Sequence, residues 1–113
     1  MHELSIVMSI LDIAEKESAK NNAVQIDEIE LEIGELSGID MPAFDFAWQQ
    51  AVKSTKLEGA ARIVTHIPGE GLCMDCEAVF PMHQLYKPCP VCSHHFITIL
   101  KGKELRVKSL VIN

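Results

Sequence analysis

From Glu3 to about Lys20 apolar residues recur at helical spacing. Leu4, Val7, Met8, Leu11 and Ala14 form one stripe, Ile6, Ile10 and Ile13 widen it, and Glu15, Lys16, Glu17 and Lys20 take the wet side. Asn21 and Asn22 are suitable terminators, because asparagine tolerates the left-handed conformation that ends helices. The period then changes to two: Ile29, Leu31 and Ile33 alternate with Glu28, Glu30 and Glu32, which predicts a strand with one buried face and a row of solvated carboxylates. The run Gly34 to Gly38 turns the chain, and Asp40 or Ser37 caps a second helix from Met41 to about Thr55. Pro42 sits in its first turn, where a missing N–H costs nothing, and Phe44, Ala47, Trp48, Ala51 and Val52 mark its core face.

A second strand is predicted over Ala61 to Ile67, with Ile63, Thr65 and Ile67 on one face, Arg62, Val64 and His66 on the other, and His66 read as a strand-edge histidine. Pro68-Gly69-Glu70-Gly71 reads as a linker. Near the end come the β-branched run Phe96 to Leu100, a turn at Lys101-Gly102-Lys103 and a third long strand, Glu104 to Ile112. Its apolar phase slips between Val107 and Leu110, which implies a bulge or burial on both faces. The expected fold is α+β: a three-stranded sheet packed with two helices, plus an inserted zinc-ribbon module. The predicted organisation is one α/β domain from residues 1–67 and 104–113, with a zinc module of residues 68–103 between the second and third long strands.

The module is expected from Cys73-Met74-Asp75-Cys76 and, twelve residues on, Cys89-Pro90-Val91-Cys92. Two Cys-x-x-Cys turns at that separation can wrap one tetrahedral ion at about 2.3 Å per Zn–S bond. A pair of disulfides, a redox dithiol and an iron site compete with structural zinc, and the ribbon spacing favours zinc. Four thiolates leave no open position for water, so the site reads as a clamp for the fold. The segment Pro68 to Leu100 is too short to fold on apolar contacts alone, whereas zinc-dependent folding supplies on the order of 10–16 kcal/mol in comparable modules.

The formal charge of −6 argues against a polyanionic partner, and the cysteine segment, with Glu70, Asp75 and Glu77 against Lys87, Lys101 and Lys103, offers no local basic patch. No apolar run approaches the ~18 residues needed to span a bilayer, and no basic-then-apolar leader stands at the start. A cytoplasmic protein with reduced thiols is expected, binding neither nucleic acid nor membrane. There is no Gly-rich phosphate loop, no nucleophile elbow and no His-x-Glu partner for the cysteines, so an enzyme is not expected.

A second metal chemistry is written in Met1-His2-Glu3. An α-amine, a deprotonated His2 amide and the His2 imidazole Nδ1 close fused chelate rings around one ion, and such a planar, nitrogen-rich set suits nickel(II) or copper(II). The fourth donor stays open among the Glu3 amide, the Glu3 or Asp40 carboxylate and a distant histidine. A helix N-terminus favours loss of protons from amine and amide, which the metal requires, and Glu3 offsets the repulsion of the cation. His83, His94 and His95 are expected in outer positions around the cysteines or in solvent.

Met1-His2-Glu3-Leu4-Ser5, Leu31-Glu32-Ile33-Gly34-Glu35-Leu36-Ser37, the paired Cys-x-x-Cys motifs and Val107-Lys108-Ser109-Leu110 together resemble the HypA/HybF family of hydrogenase nickel-incorporation proteins. The similarity runs the whole length. It implies a metallochaperone that delivers Ni(II) as transient cargo to the [NiFe]-hydrogenase large subunit precursor, in some organisms also toward urease, working with the GTPase HypB as a monomer or homodimer. It also implies nickel at His2 with its neighbour Glu3, and structural zinc at Cys73, Cys76, Cys89 and Cys92. The alternative from another class is a zinc-ribbon adaptor that only joins proteins.

Overall fold

The computed structural model describes residues 3–113. Along the chain run α1 (Glu3–Lys20), β1 (Ile26–Gly34), α2 (Met41–Ala51), β2 (Ala61–Ile67), β3 (Glu70–Cys73), β4 (Val79–Pro81), β5 (Ile97–Lys101) and β6 (Leu105–Ile112). The strands form two three-stranded sheets, in the orders β2-β1-β6 and β4-β3-β5. The chain divides into two compact units, one of residues 1–31, 39–65 and 106–113, the other of residues 32–38 and 66–105.

In the first unit α1 and α2 pack on one another. Val7, Ile10, Leu11 and Ala14 of α1 are buried, as are Ile26, Ile29 and Leu31 of β1 and Phe44, Ala47 and Trp48 of α2. The α1 stripe is narrower than its sequence suggests: Leu4 is 55% exposed, Met8 50% and Ile13 47%. The buried line of Val7, Leu11, Ala14 and Ser18 follows the 3–4 spacing, and successive residues turn by about 100°, which carries Met8 out of it. Helix α2 starts where its cap predicts, with Asp40 Oδ1 accepting the Ala43 N–H at 3.4 Å and proline in the first turn. It ends at Ala51 instead of running to Thr55, the chain continuing through turns in which Ser54 adopts a φ of 62°. Lys56 follows those turns, and its ammonium donates to Ser18 Oγ and to the Ala23 carbonyl, both at 3.2 Å, near the end of α1.

On β2 Arg62 and Val64 are half-buried while Ile63 is 42% exposed; Thr65 and Ile67 are half-buried as well and His66 is exposed, so burial does not follow a simple two-face alternation. Arg62 lies over the rings of Phe44 and Trp48, 5.6 and 5.3 Å from their centroids, and pairs with Asp45 at 2.6 Å. A guanidinium can stack on aromatics and keep its ion pair at once, so it fills an inward position that pattern reading assigns to an aliphatic residue. The glutamate row of β1 is likewise less wet than expected, because β1 is the middle strand of its sheet. Glu30 accepts from Thr65 Oγ1 at 3.1 Å and meets Lys108 Nζ at 3.5 Å, and Glu32 is buried.

The second unit has an apolar core of its own: Leu36, Cys73, Phe80, Met82 and Cys89, with Ala78, Ile97 and Ile99 packed against it. The stretch read as a linker is structured, since Glu70 and Gly71 open β3 and pair with Pro81 and Phe80 of β4. Gly34 and Gly69 permit close backbone approach there. A Cβ on Gly34 would stand 2.0 Å from the Gly102 oxygen, and one on Gly69 1.9 Å from the Met82 oxygen. Leu36, read as part of a turn, is 4% exposed and donates its N–H to the Gly102 carbonyl at 2.6 Å.

Candidate metal centre

The two Cys-x-x-Cys segments fold into equivalent turns. Glu77 N–H donates to the Cys73 carbonyl and Ser93 N–H to the Cys89 carbonyl, each at 2.9 Å, and the Cys73 and Cys89 N–H groups donate to Ala78 and His94 carbonyls, again at 2.9 Å. Glu77 and Ser93, each just past the second cysteine, take left-handed φ angles of 64° and 65°. One turn starts from the end of β3, the other from the loop before β5, and each brings two sulfurs to a common point.

The sulfurs of Cys73, Cys76, Cys89 and Cys92 all lie within 4.8 Å of one another, with Cys73–Cys92 at 3.5 Å and Cys76–Cys89 at 3.6 Å. A tetrahedral ion with Zn–S bonds of about 2.3 Å sets its sulfurs about 3.8 Å apart, so the cage fits zinc. Among the described residues no other group of three or more histidine, cysteine or acidic side chains is close enough to share an ion. Cys73 and Cys89 are buried, Cys92 partly and Cys76 exposed, so solvent reaches the cage at Cys76 and, less, at Cys92.

The thiols differ within each pair. The Cys76 N–H directed at Cys73 holds that thiol low, against burial and with help from the Asp75 N–H. Burial pushes Cys89 up, but the Cys92 and Val91 N–H groups and its sulfur neighbours outweigh it and bring the thiol to about 7. For Cys76 the Ala78 N–H lowers the value, yet burial and the sulfurs of Cys89 and Cys73 raise it overall. The His94 N–H acts likewise on Cys92, and burial plus the three other sulfurs push it up to about 12. Four sulfurs in contact resist carrying four charges. A divalent cation relieves that repulsion and releases the remaining protons.

The surrounding histidines are engaged or exposed. His94 Nδ1 meets Asp75 Oδ2 at 2.8 Å, joining the two cysteine turns, and His83 Nδ1 meets Glu35 Oε2 at 2.8 Å. His66 is exposed on β2, an outer strand of its sheet. Glu35 also accepts the Gly69 N–H at 2.8 Å; that bond first, and His83 second, hold its carboxyl below the ordinary value. Sequence reading missed Glu35, since a glutamate in a glycine-bounded turn looks like any solvated acid.

Of the N-terminal triad, Met1 and His2 lie outside the described residues. Glu3 opens α1 and its Oε2 accepts the Asp40 backbone N–H at 3.3 Å, which brings the Glu3 carboxylate to the cap of α2, where Asp40 Oδ1 accepts the Ala43 N–H.

The family model described as hydrogenase/urease nickel incorporation, metallochaperone, HypA matches residues 1–112. The chain belongs to this family. It is 51% identical to the hydrogenase maturation factor HypA of Parabacteroides distasonis, over 99% of this chain and 97% of that one. Against the namesake from Geobacter sulfurreducens it is 39% identical, over 99% of each chain. A solution structure of the Ni metallochaperone HypA from Helicobacter pylori superimposes with a TM-score of 0.70 at 32% identity, covering 99% of this chain and 97% of that chain. A second HypA solution structure gives 0.71 at 30% identity, covering 100% and 97%. Nickel metallochaperones of hydrogenase and urease maturation are thus its kin, with the two-sheet α+β fold and the four-cysteine cluster in place. No helix among the described residues is long and apolar enough to cross a membrane.

Proposed function

We propose that this protein carries Ni(II) at Met1, His2 and Glu3 and hands it to the [NiFe]-hydrogenase large subunit precursor, with urease as a further recipient, while Cys73, Cys76, Cys89 and Cys92 hold a structural zinc ion. The observation that carries the reading furthest is the Glu3–Asp40 contact. It ties the Glu3 carboxylate, on the residue after His2 at the start of α1, to the Asp40 backbone, and helix N–H groups at that end have no intrahelical partner, so a backbone amide can lose its proton without breaking the helix. The amine, the His2 amide and the His2 imidazole supply three donors, and the fourth comes from the Glu3 amide, the Glu3 or Asp40 carboxylate, or a histidine from elsewhere.

Uptake releases one proton from the ammonium and one from the amide; release of the ion takes both back. Nickel retention therefore falls as pH falls, and a partner that covers the helix end displaces the ion by competing for those donors. Hand-over proceeds in the cytoplasm with the GTPase HypB. The protein acts as a monomer or homodimer, carries out no catalytic turnover and binds neither nucleic acid nor membrane. Residues 1–67 and 104–113 do the nickel work and residues 68–103 the zinc work, the latter leaning on Leu36 through the shared apolar core.

Titration of the zinc-loaded protein with Ni(II) tests this. One equivalent is expected to bind, and both His2→Ala and two residues added before Met1 are expected to abolish uptake while the circular dichroism spectrum is kept. Uptake that survives both changes rejects the N-terminal site and leaves a zinc-ribbon adaptor as the reading.

A further inference from the structure

We infer that the cleft beside β5 in the cysteine-bearing unit docks an acidic, extended peptide segment of a partner protein through one bulky apolar side chain. The cleft holds about 230 Å³, and Met82, Ile97 and Ile99 line it. Pockets for whole small molecules run to roughly 300–1,000 Å³, so this one suits a side chain or two of a longer segment. Gly71 makes room for that lining: a Cβ there would come within 2.9 Å of Ile97 Cγ2 and 3.1 Å of Met82 Sδ.

Charge selects the occupant. The described lining includes Lys87 and Lys103 and no carboxylate, both lysines are exposed, and neither makes an ion pair among the described residues. By sequence these lysines are offset by Glu70, Asp75 and Glu77, but none of those three carboxylates lines the cleft, so in a chain of formal charge −6 its rim is locally positive and complementary to glutamate or aspartate. A second copy of the chain docking cleft to cleft would set these lysines against each other, which disfavours self-association here.

Two further features point to an extended ligand. Strand β5 is an outer strand of its sheet, and Ile97 and Ile99 belong to it, so the strand that contributes to the cleft has no neighbour on its second side within that sheet. Unpaired strand edges accept peptides as added strands, with pockets for alternate side chains. Tyr86, also lining the cleft, is 92% exposed and held at a φ of 63°. A bulky residue in that conformation costs energy, and here it leaves an aromatic ring standing in water beside an apolar cleft.

The test uses the zinc-loaded full chain, without nickel, so its outcome is independent of the nickel site. The probe is a fluorescein-labelled heptapeptide alternating glutamate with leucine, followed by anisotropy and by amide shifts in the ¹⁵N spectrum. Saturable, salt-sensitive binding is expected, with shifts centred on Tyr86, Lys87, Lys103 and β5. Reversing both charges in K87E/K103E should weaken it about tenfold. Tyr86→Gly should also bind more weakly while melting no lower than the parent, because it relieves the left-handed strain. Equal binding of a lysine–leucine peptide, shifts that map elsewhere, or unchanged affinity in the charge-reversed variant would overturn the inference. So would concentration-dependent self-association that the same variant removes.

Discussion

Glu35 shows what a single residue contributes once distant parts of the chain meet. Its carboxylate accepts from the Gly69 N–H and from His83, and both partners favour the charged form, the backbone bond more. A group whose pKa is lowered in the folded state stabilises above its unfolded value and loses that contribution as pH falls through the folded one. The native protein should therefore resist urea better than Glu35→Gln near neutral pH, and the gap should close once pH drops below the ordinary glutamate range. Urea midpoints of the two proteins, compared from pH 7 downward, check this; a gap that widens in acid contradicts it. Residue-scale chemistry was readable wherever neighbours in sequence do the work. The cap at Asp40, the cysteine spacing and the buried Phe44–Trp48 spacing all belong to that class. Arg62 over two aromatic rings does not, because a cation at an inward strand position becomes favourable only when the rings and Asp45 arrive from α2.

Among the elements, the helices and the three long strands form where periodicity puts them; α1 begins and ends at the predicted residues, and α2 starts at its predicted cap but stops at Ala51, short of Thr55. The short strands β3 and β4 were harder to foresee. β3 contains Gly71 next to a Pro-Gly pair, and β4 has only three residues, so neither shows a period. They exist because β3 pairs on both sides, with β4 and β5, beneath the cysteine cage. The same crowding explains Gly34, which closes β1. Gly34→Ala must displace the Gly102 carbonyl, now 2.0 Å from where the methyl would be. A backbone cannot yield as a side-chain tip does, so a loss of about 3 kcal/mol or more is expected in urea unfolding. A loss below about 1 kcal/mol, the ordinary effect of glycine to alanine in a strand with room, contradicts the close approach.

For the molecule as a whole, the decisive quantity is how far a zinc ion bound in the four-cysteine cage would hold up the unit around it. Its apolar core is small, and two of its five buried members, Cys73 and Cys89, are cysteines of the cage. Removing zinc with a chelator, or Cys89→Ala, should abolish slow amide exchange over residues 66–105 while α1 and α2 keep theirs, since their buried residues lie outside the cage. Loss of protection throughout the chain would mean a single cooperative unit.

The local patterns in the chain determined the helices, the long strands, the α+β class, the four-cysteine cage and the resemblance to a nickel-handling family, because each rests on the spacing of nearby residues and on donor chemistry. Tertiary structure alone decided that Leu36 joins the cysteine-bearing core, that Glu35 anchors His83, that Arg62 turns inward and that Glu3 meets Asp40. Those partners lie far apart along the chain, and no periodicity encodes a contact whose energy appears only after the backbone has brought them together.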